Sequence, residues 1–134
     1  MVNLFTDRLL VQVEKIDEQH KIIFNIIEEF YNVCMNGGSK KNIVQVFNNL
    51  KNHLEQHFQD EESYMIKYNY PDYEEHKEKH NIFIRKVYTL ENAFKCEYIP
   101  FTKLAEANDF FSEGLLTHIS EVDGKLGTFL KDKF

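Results

Sequence analysis

A chain of 134 residues suits one domain, here residues 1–134, and is long enough to bury a real core. Its 43% apolar and 28% charged residues are those of an ordinary globular protein, and its net charge of −6 argues against a nucleic-acid groove. Only 2 Pro and 5 Gly interrupt the chain, which favours long helices over many short strands, and no apolar run approaches the length of a membrane span.

The first residues, Met1 to Asp7, lack the basic-then-apolar order of a secretory signal, so a cytoplasmic location is expected. Residues up to about Ile16 read as an N-terminal arm. Its cluster Leu9, Leu10, Val11, Val13 and Ile16 is expected to fold over the rest. The first helix is placed from Asp17, a good N-cap residue. His20, Ile23, Phe24, Ile27 and Cys34 share one face of it, with Phe30 or Tyr31 between. Asn36-Gly37-Gly38 ends it, because glycine readily takes the left-handed conformation past a helix end. Ser39 caps a second helix running to about Lys67, with Ile43, Val46 or Phe47, Leu50, Leu54, His57, Glu61 and Met65 inward. Tyr68 to Pro71 breaks it, and Pro71 can begin the next helix, where its missing N–H costs nothing.

The third helix has the clearest pattern: Tyr73, His76, His80, Phe83, Val87, Leu90 and Phe94 alternate steps of three and four. Cys96 to Pro100 is the next break, and Pro100 is placed in the first turn of the fourth helix. Phe101, Leu104, Asn108, Phe111, Leu115, His118 and Val122 form its inward stripe. Gly124 and Gly127 loosen or end it, and a tail with Leu126, Phe129 and Leu130 packs back. Four amphipathic helices with short connections predict an all-α, antiparallel up-down-up-down bundle behind an N-terminal arm. Cys34 and Cys96 form no metal or redox motif and read as core or semi-buried thiols, with no disulfide expected.

Polar residues interrupt these stripes in a consistent way. His20 lies near the start of the first helix, and His57 with Glu61 near the end of the second. His76 and His80 lie near the start of the third, and His118 with Asp123 near the end of the fourth. In an up-down-up-down bundle those four places share one level. Seven buried polar groups at one level would be very costly without partners, and a metal centre removes that cost. Five imidazoles and two carboxylates exceed what one ion needs. If Glu61 and Asp123 both bridge, one ion receives three imidazoles and the other two, and a position stays open for a small molecule. Imidazole with carboxylate suits iron and leaves manganese and zinc open. Such nitrogen-rich ligation is more cationic than a four-carboxylate centre, and no Glu-x-x-His pair of the carboxylate-rich bundles occurs. Asp123 follows His118 by five residues, more than one α-helical turn, so its carboxylate must reach around or the helix must be distorted there, with Gly124 as the permissive neighbour. His53 and Glu62 are read as non-ligands.

At this point the chain resembles the hemerythrin family in its single-domain bacterial form, over nearly its whole length. The motifs are Ile16-Asp17-Glu18-Gln19-His20, His57-Phe58-Gln59-Asp60-Glu61-Glu62-Ser63-Tyr64-Met65, Tyr73-Glu74-Glu75-His76-Lys77-Glu78-Lys79-His80 with Phe83, and His118-Ile119-Ser120-Glu121-Val122-Asp123. The resemblance implies two iron ions joined by an oxo or hydroxo bridge. His76, His80 and His118 would hold the full iron, His20 and His57 the open one, and Glu61 and Asp123 would bridge. It also implies reversible dioxygen binding at the open iron, with Leu115, Ile119 and Gly114 lining the pocket. One departure is Gly114, where the family usually has Trp. Unless neighbouring Phe side chains fill that space, Gly114 is expected to widen access to the centre. Trp is absent throughout, and Phe5 is expected to stand in for the aromatic of the arm.

The leading expectation is therefore a dioxygen-binding protein rather than an enzyme, serving storage, delivery or sensing. Its small ligands would be dioxygen and anions such as azide. The alternatives are a di-iron enzyme reducing dioxygen, peroxide or nitric oxide, and an iron-storage protein. The chain carries no flavin site or second cofactor motif to supply electrons, so an enzymatic role would need a redox partner protein. A monomer is expected, with no nucleic-acid or membrane partner.

Overall fold

The structure is a computed structural model that describes residues 9–134. Phe5 lies outside them. Three helices, α1 (Glu14–Met35), α2 (Lys40–Lys67) and α3 (Tyr73–Phe94), are followed by a fourth rod built from five segments. These are α4 (Phe101–Asp109), a π turn (Phe110–Gly114), α5 (Leu115–His118), a second π turn (Ile119–Asp123) and α6 (Gly124–Leu130). The junction residues all keep right-handed helical dihedrals, so the rod is continuous. No strand occurs among the described residues, and the architecture is the expected all-α bundle.

The helices begin and end for local reasons. Gly37, with φ at +70°, stops α1, and the Gly38 N–H donates back to the Val33 carbonyl at 2.9 Å, satisfying an orphan acceptor of the last turn. The Ser39 hydroxyl caps α2 by accepting from the Asn42 N–H at 3.1 Å. Pro100 precedes α4 as its N-cap, one position before the expected first turn. Pro71 lies in the turn before α3 rather than in its first turn, and Asp72 is the N-cap.

Other expectations are also corrected. The first helix starts at Glu14, a turn before Asp17. Asp17 is buried, and its carboxylate accepts from the Val11 N–H at 2.8 Å, so it anchors the arm rather than capping the helix. Gly124 and Gly127 do not end the fourth helix, because α6 runs through both. The role of Gly127 is space: a Cβ there would collide with the backbone of Val11, which crosses α6 at that point. The arm thereby seals Val11 and Val13 against the bundle. Phe101 is 65% exposed rather than inward, and of the two free thiols Cys34 is half-buried as expected while Cys96 is exposed.

The core has two levels. At one end Phe30, Phe47, Phe94 and Phe111, one from each rod, pack with ring centroids 4.9–6.1 Å apart. Each such buried aromatic contributes about 2–3 kcal/mol of hydrophobic burial. That apolar layer fixes the register of the four rods. The polar level, about two turns or more away along every rod, is positioned by it.

Candidate metal centre

All seven sequence-predicted residues meet. His20, His57, Glu61, His76, His80, His118 and Asp123 are each at most 6% exposed. Glu61, His76, His80, His118 and Asp123 each bring one donor atom within 4.8 Å of the others, and so do His20, His57, Glu61 and Asp123. The two groups share the two carboxylates. One group holds three imidazoles and the other two. His53, by contrast, is exposed and faces away.

Asp123 reaches the centre because the helix is distorted. The π turn at Ile119–Asp123 carries i→i+5 hydrogen bonds and so inserts one extra residue. A step of five then returns to the same face, and Asp123 Oδ1 lies 3.0 Å from His118 Nε2. Gly124 has ordinary helical dihedrals (φ −59°, ψ −42°), so the distortion does not draw on glycine's freedom. The expected permissive role of Gly124 is not met.

The donor atoms converge in a way that neutral hydrogen bonding cannot satisfy. His20 Nε2 lies 3.0 Å from both His57 Nε2 and Asp123 Oδ2. Glu61 Oε1 lies 3.1 Å from His80 Nε2, 3.5 Å from His57 Nε2 and 3.6 Å from His76 Nε2. Asp123 Oδ1 lies 3.2 Å from His76 Nε2. Among the described residues, the buried side-chain polar atoms lacking a hydrogen bond are His20 Nδ1, Glu61 Oε2, both nitrogens of His76, His118 Nε2, Asp123 Oδ1 and Asn108 Oδ1. All but the last belong to this cluster. Each would cost about 1–3 kcal/mol if left unsatisfied.

Two imidazoles have their orientation fixed from behind. His57 Nδ1 donates to Gln19 Oε1 at 2.7 Å, and His80 Nδ1 donates to Glu62 Oε2 at 2.9 Å. The Gln19 amide cannot be reversed, because its Nε2 donates to Asp60 Oδ2 at 2.6 Å. With Nδ1 protonated, each ring turns a bare Nε2 lone pair inward. Lone pairs aimed at carboxylate oxygens repel unless a cation lies between them. The donor set therefore fits metal ions, and its orienting partners are of the kind that accompany ligating histidines. Gln19, Asp60 and Glu62 were not recognised as orienting residues from the sequence. The available signal was adjacency, since each stands next to a ligand on the helix seam.

The protonation pattern supports the same reading. Burial pulls the His57 imidazole down to about 4, against the opposing pull of Asp123. Burial, and then the neighbouring His76 and His118, hold His80 at about 2. His76 is also penalised by burial, yet Asp123 and Glu61 lift it to about 9. Burial and the nearby Asp123 push the Glu61 carboxyl well above the usual range. Burial acts on Asp123 in the same sense, but His118, His20 and His57 hold it well below that range. Strongly opposed shifts among packed groups mark a site built for something other than stability.

Around the ligands lie apolar walls. Phe58 stacks on the His80 ring at 4.0 Å and 12°, and approaches His118 at 5.5 Å and His57 at 5.8 Å. Leu115 and Ile119, the expected pocket residues, are fully buried on either side of His118. The space beside Gly114 is filled. A Cβ there would meet Phe110 at 3.5 Å and Phe83 at 3.6 Å, and those two rings pack 4.5 Å apart. The expected wider access at Gly114 is therefore not found, and the neighbouring Phe side chains take up the volume.

A helical bundle enclosing a buried cluster of five histidines and two shared carboxylates defines a class: histidine-rich metal-binding four-helix proteins. Comparison with known proteins narrows it. The family model described as the Hemerythrin HHE cation binding domain matches residues 11–130. The bacteriohemerythrin of Clostridium acetobutylicum is 28% identical over 123 residues, spanning 90% of this chain and 95% of that relative. The bacteriohemerythrin of Methylococcus capsulatus is 26% identical over 114 residues, 85% of each chain. A solved wild-type hemerythrin superimposes with a TM-score of 0.77 at 25% identity, covering 90% of this chain and 91% of that one. The chain belongs to the hemerythrin family.

Proposed function

We propose that this chain binds dioxygen reversibly at a non-haem centre of two irons. The observation that carries the reading is the pair of donor groups that share Glu61 and Asp123 while dividing the histidines three and two. His76, His80 and His118 would hold one ion and His20 and His57 the other, with Glu61 and Asp123 available to both. The group with fewer imidazoles would leave room at its ion for a small ligand. When bound, the two irons supply electrons reversibly to dioxygen.

The chain's own residues do the rest. Gln19 and Glu62 hold the His57 and His80 rings with Nε2 inward. Glu61 and Asp123 offset the charge of the ions in a water-poor interior, where an unpaired cation would be costly. Phe58, Leu115 and Ile119 exclude bulk water, which favours release of the ligand unchanged over protonation and further reduction. No described helix is long and apolar enough to cross a membrane. Storage, delivery and sensing use the same chemistry, and azide and similar anions would compete for the open position.

The test is an oxygen cycle on the iron-loaded chain. It is expected to gain a visible absorption band in oxygen and lose it when oxygen is removed, repeatedly and without loss of iron. A band that never reverses, with consumption of added reductant, would instead favour the enzymatic reading.

A further inference from the structure

The two fixed histidines are held by partners of different charge. Behind His80 stands a carboxylate, Glu62, in direct contact at 2.9 Å. Behind His57 stands a neutral amide, Gln19, at 2.7 Å. A carboxylate exists on that side too, but it is one bond further out. Asp60 accepts from Gln19 Nε2 through Oδ2 at 2.6 Å and from Gln56 Nε2 through Oδ1 at 3.0 Å. Among the described residues, His20 Nδ1 and His76 Nδ1 have no hydrogen-bond partner at all.

This arrangement separates two tasks that a single carboxylate would combine. A hydrogen bond to any acceptor at Nδ1 fixes the tautomer. A charged acceptor also pushes electron density through the ring to Nε2, making a stronger donor. Gln19 does the first without the second, and Asp60 keeps it from turning over. We propose that Gln19 is a positioning residue that holds the His57 tautomer while insulating that ring from the Asp60 charge, leaving the two ligand groups electronically unequal. His80 is the strong donor on the three-histidine side and His57 the weak one on the two-histidine side. An ion held beside His57 would then keep more positive charge, which favours an incoming anionic ligand. The inference rests on the proposed two-metal reading.

A charge-neutral exchange isolates the effect. Gln19→Glu combined with Asp60→Asn keeps the net charge and allows every hydrogen bond in the Gln56–Asp60–Gln19–His57 chain to be remade. Only the negative charge moves, to the atom that faces His57. The protein is loaded with zinc alone, which is diamagnetic, and labelled with 15N-histidine. In the parent, the His57 Nδ1–H proton is expected upfield of that of His80. In the exchanged pair it is expected to move downfield to the His80 position, and zinc release to a chelator is expected to slow. Glu62→Gln should move the His80 signal the other way, and gives the same comparison if the double variant does not fold. Gln19→Leu, with helicity retained, should release zinc roughly ten- to a hundredfold faster, a loss that the exchanged pair does not show. Unmoved His57 and His80 signals in the exchanged pair and in Glu62→Gln would overturn the proposal. So would unchanged zinc release in Gln19→Leu. The zinc count of the parent judges the two-metal reading separately, since fewer than two ions per chain would fail that reading whatever the signals do.

Discussion

Gly114 and Gly127 lie in the same helical rod, and the same substitution should act with opposite sign at the two. At Gly114 an added Cβ meets its nearest neighbours, the Phe110 and Phe83 rings, at 3.5 and 3.6 Å, ordinary contact distances. The backbone there is helical (φ −63°, ψ −42°). Gly114→Ala should therefore gain the helix propensity of alanine, about 1 kcal/mol. At Gly127 the added Cβ would stand 2.7 Å from Val11 Cβ and closer still to the Val11 carbonyl oxygen. Backbone cannot rotate aside, so the arm must lift. That exposes Val11, now 5% exposed, and breaks its hydrogen bond to the buried Asp17. Lost burial of about 1.5–3 kcal/mol and a lost hydrogen bond of about 1 kcal/mol, less the same 1 kcal/mol propensity gain, leave a net loss of about 1.5–3 kcal/mol. For a domain of this size the melting midpoint should fall by roughly 5–10 °C. Thermal melts of both variants by circular dichroism, on metal-free protein so that binding does not contribute, check the pair. Stabilisation of both, or destabilisation of both, would refute the packing argument.

The same geometry makes Gly114→Trp destabilising by about 1–3 kcal/mol, because the indole must displace the packed Phe83 and Phe110 rings; a melt as high as the parent's would show a space that the structure does not have. Metal uptake should release protons at pH 7. His76, lifted to about 9, carries its proton in the metal-free chain at that pH, whereas His57 at about 4 and His80 at about 2 do not; burial and Asp123 push Glu61 in the same upward direction as His76. Ligands must be deprotonated to bind, so apparent affinity should rise with pH up to the His76 value and fall in acid. Titration calorimetry in buffers of different ionisation enthalpy measures the release, and a proton count near zero would contradict the assignment. Glu61→Gln should split stability from function: it replaces a buried carboxyl whose Oε2 has no hydrogen-bond partner by a neutral group of the same shape, so the metal-free variant should melt at or above the metal-free parent while binding metal far more weakly. Parallel melts with and without metal decide this, and loss of stability in the metal-free state would show Glu61 to be a structural residue.

Much of the site was legible because helical periodicity and ligand spacing reinforce each other. The stripes of α2 and α3 were read nearly residue for residue, since Leu50, Leu54, His57, Glu61 and Met65, and His76, His80, Phe83, Val87 and Leu90, keep one unbroken helical phase. The fourth rod was less legible because its phase is interrupted. Two π turns each add a residue, so burial passes from His118 to Ile119 and Asp123 rather than to Val122, which is only partly buried. The five-residue step from His118 to Asp123 was the one visible trace of that distortion. Asp17 misled as a cap because an acidic residue ahead of an apolar stripe looks the same whether it caps the helix or anchors an arm. Gly127 misled in the same way, as a helix breaker, when its use is the close passage of Val11. Gln19 and Asp60 offered no more than their adjacency to a ligand, because a polar residue beside a ligand has no periodic signature. Only the packing of α1 against α2 shows that the two meet.

The central claim is a centre of two irons with Glu61 and Asp123 held in common. It is tested most directly by loading the purified chain with ferrous iron without oxygen, removing the excess, and counting iron per chain in the parent, Asp123→Ala and His20→Ala. The parent should hold two irons. Asp123→Ala should lose both together, because one carboxylate serves both donor groups. His20→Ala, which touches only the two-histidine group, should retain about one. A parent that saturates at a single iron, or an Asp123→Ala chain that still holds two, would contradict the shared-carboxylate centre.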